Sequence, residues 1–218
     1  AMTMLGAVQV PHPPLIVPEV GRGEEKHIQA TIDAYETAAK FIADLQPDTV
    51  IISSPHSILY SDYFHISPGP SASGTLARFG APQVKFKVSY DEELVKDIEA
   101  TAKKTGIPAG TLGNRQPELD HGTMVPLYFL AKYCKTCKVV RVALSGFSLK
   151  EHYRVGMLIA QAAARLGRRL AWIASGDLSH KLTKSGPYGF NPAGPEYDKQ
   201  IMEVMGKADF PRLFAFND

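Results

Sequence analysis

Short runs that are apolar or rich in β-branched residues, spaced by stretches of helical periodicity, constrain this chain more than any other feature. The runs are MLGAVQV, DTVIISS, VKFKVS, CKVVRVALS and RLAWIAS. Each is rich in β-branched residues or continuously apolar, as strands buried on both faces are. Between them, Ile28, Ile32, Tyr35, Ala39 and Ile42 recur at helical spacing across residues 24–45, and DEELVKDIEATAKKT opens with the acidic residues a helix N-terminus favours. A third helix is predicted through GTMVPLYFLAKY, with Asp120 as its cap and Pro126 near its first turn. Two more are predicted over about residues 150–166 and 195–206, the last opened by Pro195. Alternating strands and helices predict an α/β fold, a central mostly parallel or mixed sheet with helices on both faces.

Two segments break this alternation. SPGPSASGTLARFGAPQ (67–83) and TKSGPYGFNPAGP (183–195) are dense in Gly, Pro and Ser and are predicted as loops. The second lies between a strand end and a helix, the place where an active-site loop is expected.

Size and charge narrow the function classes. At 218 residues and 44% hydrophobic content, the chain suits one well-buried core, so a single domain over 1–218 is expected. Its formal charge of +2 is nearly balanced and its basic residues are dispersed, which argues against a nucleic-acid partner. No apolar run reaches the roughly 20 residues that span a bilayer, and the start lacks signal-peptide features, so no membrane partner and a cytoplasmic location are expected. The two cysteines, Cys134 and Cys137, form a lone CxxC. Half a zinc site or a redox pair would have that spacing, but no second CxxC or nearby histidine pair completes it, and ordinary packing and loop roles are expected.

The histidines carry the chemistry. His12 sits among Pro11, Pro13 and Pro14 directly after the first apolar run. The prolines either simply end a strand and leave a surface turn, or fix a ligand at the end of a buried strand. His56 follows the second strand in SSPHS, His180 follows the last in SGDLSH, and His121 stands in ELDHGT where a loop gives way to a helix. Parallel strands end along one rim of a sheet, so histidines at their ends can come within metal-ligand reach of one another. Two neutral imidazoles with one carboxylate would suit a facial metal site with open positions. His27 and His152 are expected to be exposed on amphipathic helices, while His65 in YFHIS is expected to be packed or hydrogen-bonded, with a supporting role left open. No GxSxG, Walker loop or HExxH occurs, and serine hydrolysis is set aside.

Taken together, PHPP, SPHS, LDHGTMVPL and SGDLSH resemble the class III extradiol ring-cleavage dioxygenase superfamily, a LigB-like fold. The wording SGDLSHKLTKSGPYGFNPAGPEYDKQI is most similar to its Memo-like branch, which includes the AmmeMemoRadiSam system protein B group. The resemblance runs over about residues 5–205, with the motifs in family order. It implies Fe(II), with Zn(II) or another divalent metal able to take its place, held by His12 and His56. It implies His121 and His180 as the acid and base beside a catecholic substrate that reacts with O2, His180 taking the phenolic proton and His121 donating one later. Tyr188 and Asn191, in the Gly/Pro-rich loop, are candidates to cover the substrate. The family's third ligand is usually a glutamate near the end of the domain; here it is expected past residue 218, with Glu196 as the substitute within the chain. The Memo-like branch implies an alternative, a metal-binding redox or protein-interaction protein, with an AMMECR-type domain or a radical-SAM protein as partner. A homodimer is the assembly to expect.

Overall fold

The computed structural model describes residues 4–55, 60, 62–113, 118–143 and 149–176. In chain order its elements are β1 (Met4–Val10), α1 (Pro18–Gly21), α2 (Gln29–Asp44), β2 (Thr49–Ser54), β3 (Phe64–His65), β4 (Ser71–Leu76) and β5 (Ala81–Ser89). There follow α3 (Glu92–Thr105), β6 (Ala109–Gly110), α4 (His121–Leu130), β7 (Lys138–Ala143), α5 (Leu149–Leu166) and β8 (Leu170–Ser175).

β1, β8, β2 and β7 form a four-stranded sheet in that order. Every pairing within it is parallel, and the strands end level, Val10 beside Ser175 and Ser54 beside Ala143. The alternation of side chains builds two cores. Val8, Val50, Ile52, Val139 and Ile173 face α2 and α4, where Tyr35, Ile42, Val125 and Phe129 close the layer. Ala7, Ile51, Val140 and Val142 face the opposite way, against Ile98 of α3 and Ile159 of α5. The expected α/β architecture with helices on both faces is the one observed.

Local chemistry accounts for the helix ends. Asp91 accepts a hydrogen bond from the Leu94 amide, Glu92 and Glu93 occupy the first turn of α3, and Gly106 ends it at φ 72°. Such a cap and a left-handed terminator are what a helix of this length needs to stop cleanly. Pro126, expected near the first turn of α4, stands inside the helix.

The predicted loop over 67–83 requires a correction, because most of it is strand. Ser71–Leu76 pairs antiparallel with Ala81–Ser89, and the two form their own small sheet. Composition hid an alternation: Ala72 and Leu76 are buried while Ser73 and Thr75 face outward. A period of two builds a strand whatever small residues fill its outer face. The helix predicted over 195–206 and the loop over 183–195 lie outside the described residues.

Candidate functional site

The level strand ends bring together the turns that follow β1, β8 and β2. After β1 the backbone passes through the prolines into a short turn, with the Ile16 amide donating to the Pro13 carbonyl. The Tyr35 hydroxyl donates to the Pro11 carbonyl at 2.7 Å, and the Tyr35 ring stacks on Phe129 at 4.2 Å between centroids. The chain is thereby anchored just before His12. The His12 side chain is anchored too, its Nδ1 lying 3.0 Å from Ser175 Oγ at the end of β8. Gly176 follows with φ 96°, and a Cβ placed there would stand 2.6 Å from His12 Cε1 and 3.1 Å from Pro55 Cγ. Glycine is therefore required twice at 176, by its backbone and by the approach of the other two turns.

His121 opens α4 beside this point. Its ring centroid lies 5.4 Å from that of His12, nearly edge-on at 67°. On another side it meets Phe79, at the tip of the β4–β5 hairpin, at 5.3 Å. His121 also lines a groove of about 930 Å³ between the hairpin and α4, with Phe79, Met124, Lys85 and Lys87 among the other walls.

A buried ion pair sets the position of His121. Asp120, the residue before it, accepts from Arg141 Nη2 at 2.6 Å and Nε at 3.2 Å, from Ser54 Oγ at 2.6 Å and from Thr123 Oγ1 at 2.7 Å. The pair ties the start of α4 to β7 and the end of β2. Asp120 does occupy the cap position, yet its carboxylate serves these three side chains rather than a free backbone amide. Burial alone would push the Asp120 carboxyl up; the Arg141 charge and the hydrogen bonds from Ser54, Thr123 and Arg141 outweigh it and hold the carboxyl below its ordinary value. Gly122 completes the arrangement, since a Cβ there would overlap Ser54 Oγ.

Of the predicted site residues, His12 and His121 are brought together; His56, His180, Tyr188, Asn191 and Glu196 lie outside the described residues. Pro55, the neighbour of His56, is within the described turn that meets Gly176. Among the described residues no group of three or more His, Cys, Asp or Glu side chains gathers as a metal centre. The chemistry present fits part of one. In the neutral tautomer with its proton on Nδ1, His12 would donate to Ser175 Oγ and carry its lone pair on Nε2, the form in which an imidazole can ligate a metal.

Several contributors were not found by reading the sequence. Ser175 and Gly176 belong to the SGDLSH stretch but carry no local signal of reaching a histidine more than 160 residues away. Arg141 sits in an apolar strand run, where a charged residue with 0% exposure is itself the signal of a buried partner. His65 meets its expectation of a packed, hydrogen-bonded role, at 1% exposure with Nδ1 3.0 Å from the Leu112 carbonyl. His27 is exposed as expected, and the His152 side chain lies outside the described ones. Cys134 and Cys137 are more than loop residues, for their sulfurs are bonded to each other.

Parallel strands ending level, with histidines at the rim, define a class of α/β protein whose site lies beyond the carboxyl ends of its sheet. Residues 6–217 match the family described as the catalytic LigB subunit of aromatic ring-opening dioxygenase, and the chain belongs to that family. Protein CA_C1420 of Clostridium acetobutylicum is 39% identical over 223 residues, covering 99% of this chain and 48% of that protein. The chain thus spans about half the length of that relative. The 3,4-dihydroxyphenylacetate 2,3-dioxygenase of Escherichia coli is 25% identical, covering 82% of this chain and 67% of its own length. The 2-aminophenol 1,6-dioxygenase beta subunit of a Pseudomonas species is 24% identical, over 83% of this chain and 65% of that one. Among the described residues no helix is long and apolar enough to cross a membrane.

Proposed function

We propose that the chain carries the site of an extradiol ring-cleaving dioxygenase acting on a catecholic aromatic with O2. The observation that carries this reading is the juxtaposition of His12 and His121, ring centroids 5.4 Å apart at the rim of the parallel sheet. In it His12 and His56 hold ferrous iron, with Glu196 or a residue past 218 as the third donor. A ferrous ion held there supplies a Lewis acid toward the phenolic oxygens and a route for electrons between the aromatic and O2.

The chain's own residues supply position and protons. Ser175 orients the His12 ring and the proline turn restricts its backbone, so the ligand is set before a metal arrives. Phe79 and His121, in edge contact with each other, line the groove, whose volume is in the range of small-molecule sites. A neutral His180 takes the phenolic proton, and His121, held by the Asp120 clamp, returns one to the opening ring.

The test is an anaerobic Fe(II) titration of this chain and of one extended past Asp218, followed by catechols and O2 while the absorbance of ring-cleaved product is followed. Stoichiometric iron and a coloured product from either chain support the reading. Iron bound tightly by both with no product from any catechol removes the dioxygenase activity and leaves the Memo-like alternative, a metal-binding redox or interaction protein.

A further inference from the structure

Away from the rim, the joint between α4 and β7 holds the CxxC. Cys134 follows the helix, its amide donating to the Leu130 carbonyl, and Cys137 precedes Lys138, the first residue of β7. Their sulfurs are bonded, and both residues are half-buried, so the bond can be reached from outside. They form part of the wall of a groove of about 540 Å³. Four lysines, Lys85, Lys87, Lys135 and Lys138, share that wall, and none of its described lining residues is acidic. A cationic surround favours thiolates and attracts anions, the two properties that make a cysteine pair exchangeable.

From this geometry we infer that Cys134 and Cys137 form a reversible dithiol–disulfide site, whose co-reactant is an anionic low-molecular-weight thiol and its disulfide. Cys137 Sγ lies 3.7 Å from the Pro47 carbonyl oxygen, which covers it on that side. The incoming thiolate RS⁻ attacks Cys134 Sγ; the bond to Cys137 breaks, and its sulfur leaves with the electron pair, takes a proton from solvent and, as a thiol, donates a hydrogen bond to the Pro47 carbonyl. A second RS⁻ attacks the outer sulfur of the mixed disulfide, releasing RSSR and the Cys134 thiolate, which is then protonated. Two thiols are oxidised, one protein disulfide is reduced, and the reverse sequence restores it. The Asp120–Arg141 pair fastens the other end of α4 to β7, so the bond can open without freeing the helix.

The experiment uses the whole chain equilibrated in glutathione buffers of graded redox ratio, with free thiols alkylated and counted by mass while circular dichroism reports the fold. The expected result is a single reversible two-electron transition in which both thiols appear together with the spectrum unchanged. In C137S, one glutathione should be captured on Cys134. Charge reversal by K87E with K135E should slow glutathione capture about tenfold and leave capture of uncharged 2-mercaptoethanol unchanged, which also verifies that the variant is folded. A pair that stays reduced in oxidised glutathione, or that is reduced only on unfolding, overturns the site. Equal slowing of both reagents, or of neither, overturns the recognition of an anionic thiol.

Discussion

Arg141 Nη2 lies 2.6 Å from Asp120 Oδ1, and the two side chains are 0% and 5% exposed. One strand of the central sheet therefore holds the first turn of the helix that begins with His121. R141M removes the guanidinium, the cation that balances this buried carboxylate. Breaking one side of a buried pair costs about 3 to 5 kcal/mol, and denaturant unfolding should show a loss of that size. The double variant D120N/R141M should lose less than the two single losses added together, since neither charge is then stranded. Strict additivity would show that the pair does not act as a unit.

Acid should act through the same carboxylate. The folded-state pKa of Asp120 is depressed, so its stabilising contribution is present above the unfolded value and is lost as pH falls through the folded one. Asp91 behaves alike: burial pushes it up, while hydrogen bonds from Arg168, Thr49 and the Leu94 amide and the Arg168 charge bring it below the ordinary value. This part of the stability loss should set in below about pH 5, where unfolded aspartates begin to protonate. In D120N the slope of unfolding free energy against pH over that range should be shallower than in the parent. An unchanged slope would remove Asp120 from the account.

His65 gives the opposite class of group. Burial lowers its pKa, the nearby Arg141 charge lowers it further, and the hydrogen bond with the Leu112 carbonyl only partly opposes them. The unfolded chain thus binds a proton more readily, so stability is full above the ordinary histidine value of about 6.5 and declines as pH falls below it, until the folded form is itself protonated. Among the described residues, Nε2 of His65 is buried without a hydrogen-bond partner. H65F should therefore be nearly neutral at pH 8, within about 1 kcal/mol, and should lose this component of pH dependence. A ring titration by NMR that places His65 at or above the ordinary value would contradict the assignment.

Much of this fold was legible because burial writes itself into strands locally. DTVIISS and RLAWIAS could not be anything but interior, and parallel interior strands imply a common rim where His12 would meet other residues. What the sequence concealed depends on pairings across long separations. The strand Ser71–Leu76 is made of residues that favour turns, and only its partner at 81–89 makes its two-residue alternation count. Asp120 reads locally as a helix cap, whereas its partner Arg141 is 21 residues further on and buried in a strand. The bond between Cys134 and Cys137 depends on how the α4–β7 joint turns, which a CxxC spacing does not specify.

The approach of Gly176 to His12 gives the most direct test of the proposed ligand. Alanine at 176 would place a methyl 2.6 Å from His12 Cε1 and impose a side chain on a backbone at φ 96°. The strain costs about 1 to 2 kcal/mol, and the ring of His12, being a side chain, is the part that can move to relieve the contact. S175A makes the milder change, removing only the group 3.0 Å from Nδ1 and leaving space around the ring. If His12 ligates iron, S175A should weaken Fe(II) binding about 10- to 100-fold by freeing the ring orientation, and G176A should weaken it more. H12A should abolish it with the fold intact. Anaerobic titrations read affinity, and thermal unfolding in the absence of metal separates the strain from the loss of the ligand. Parent-like iron affinity in folded G176A and H12A would mean that the proline-bound histidine serves the turn and not a metal.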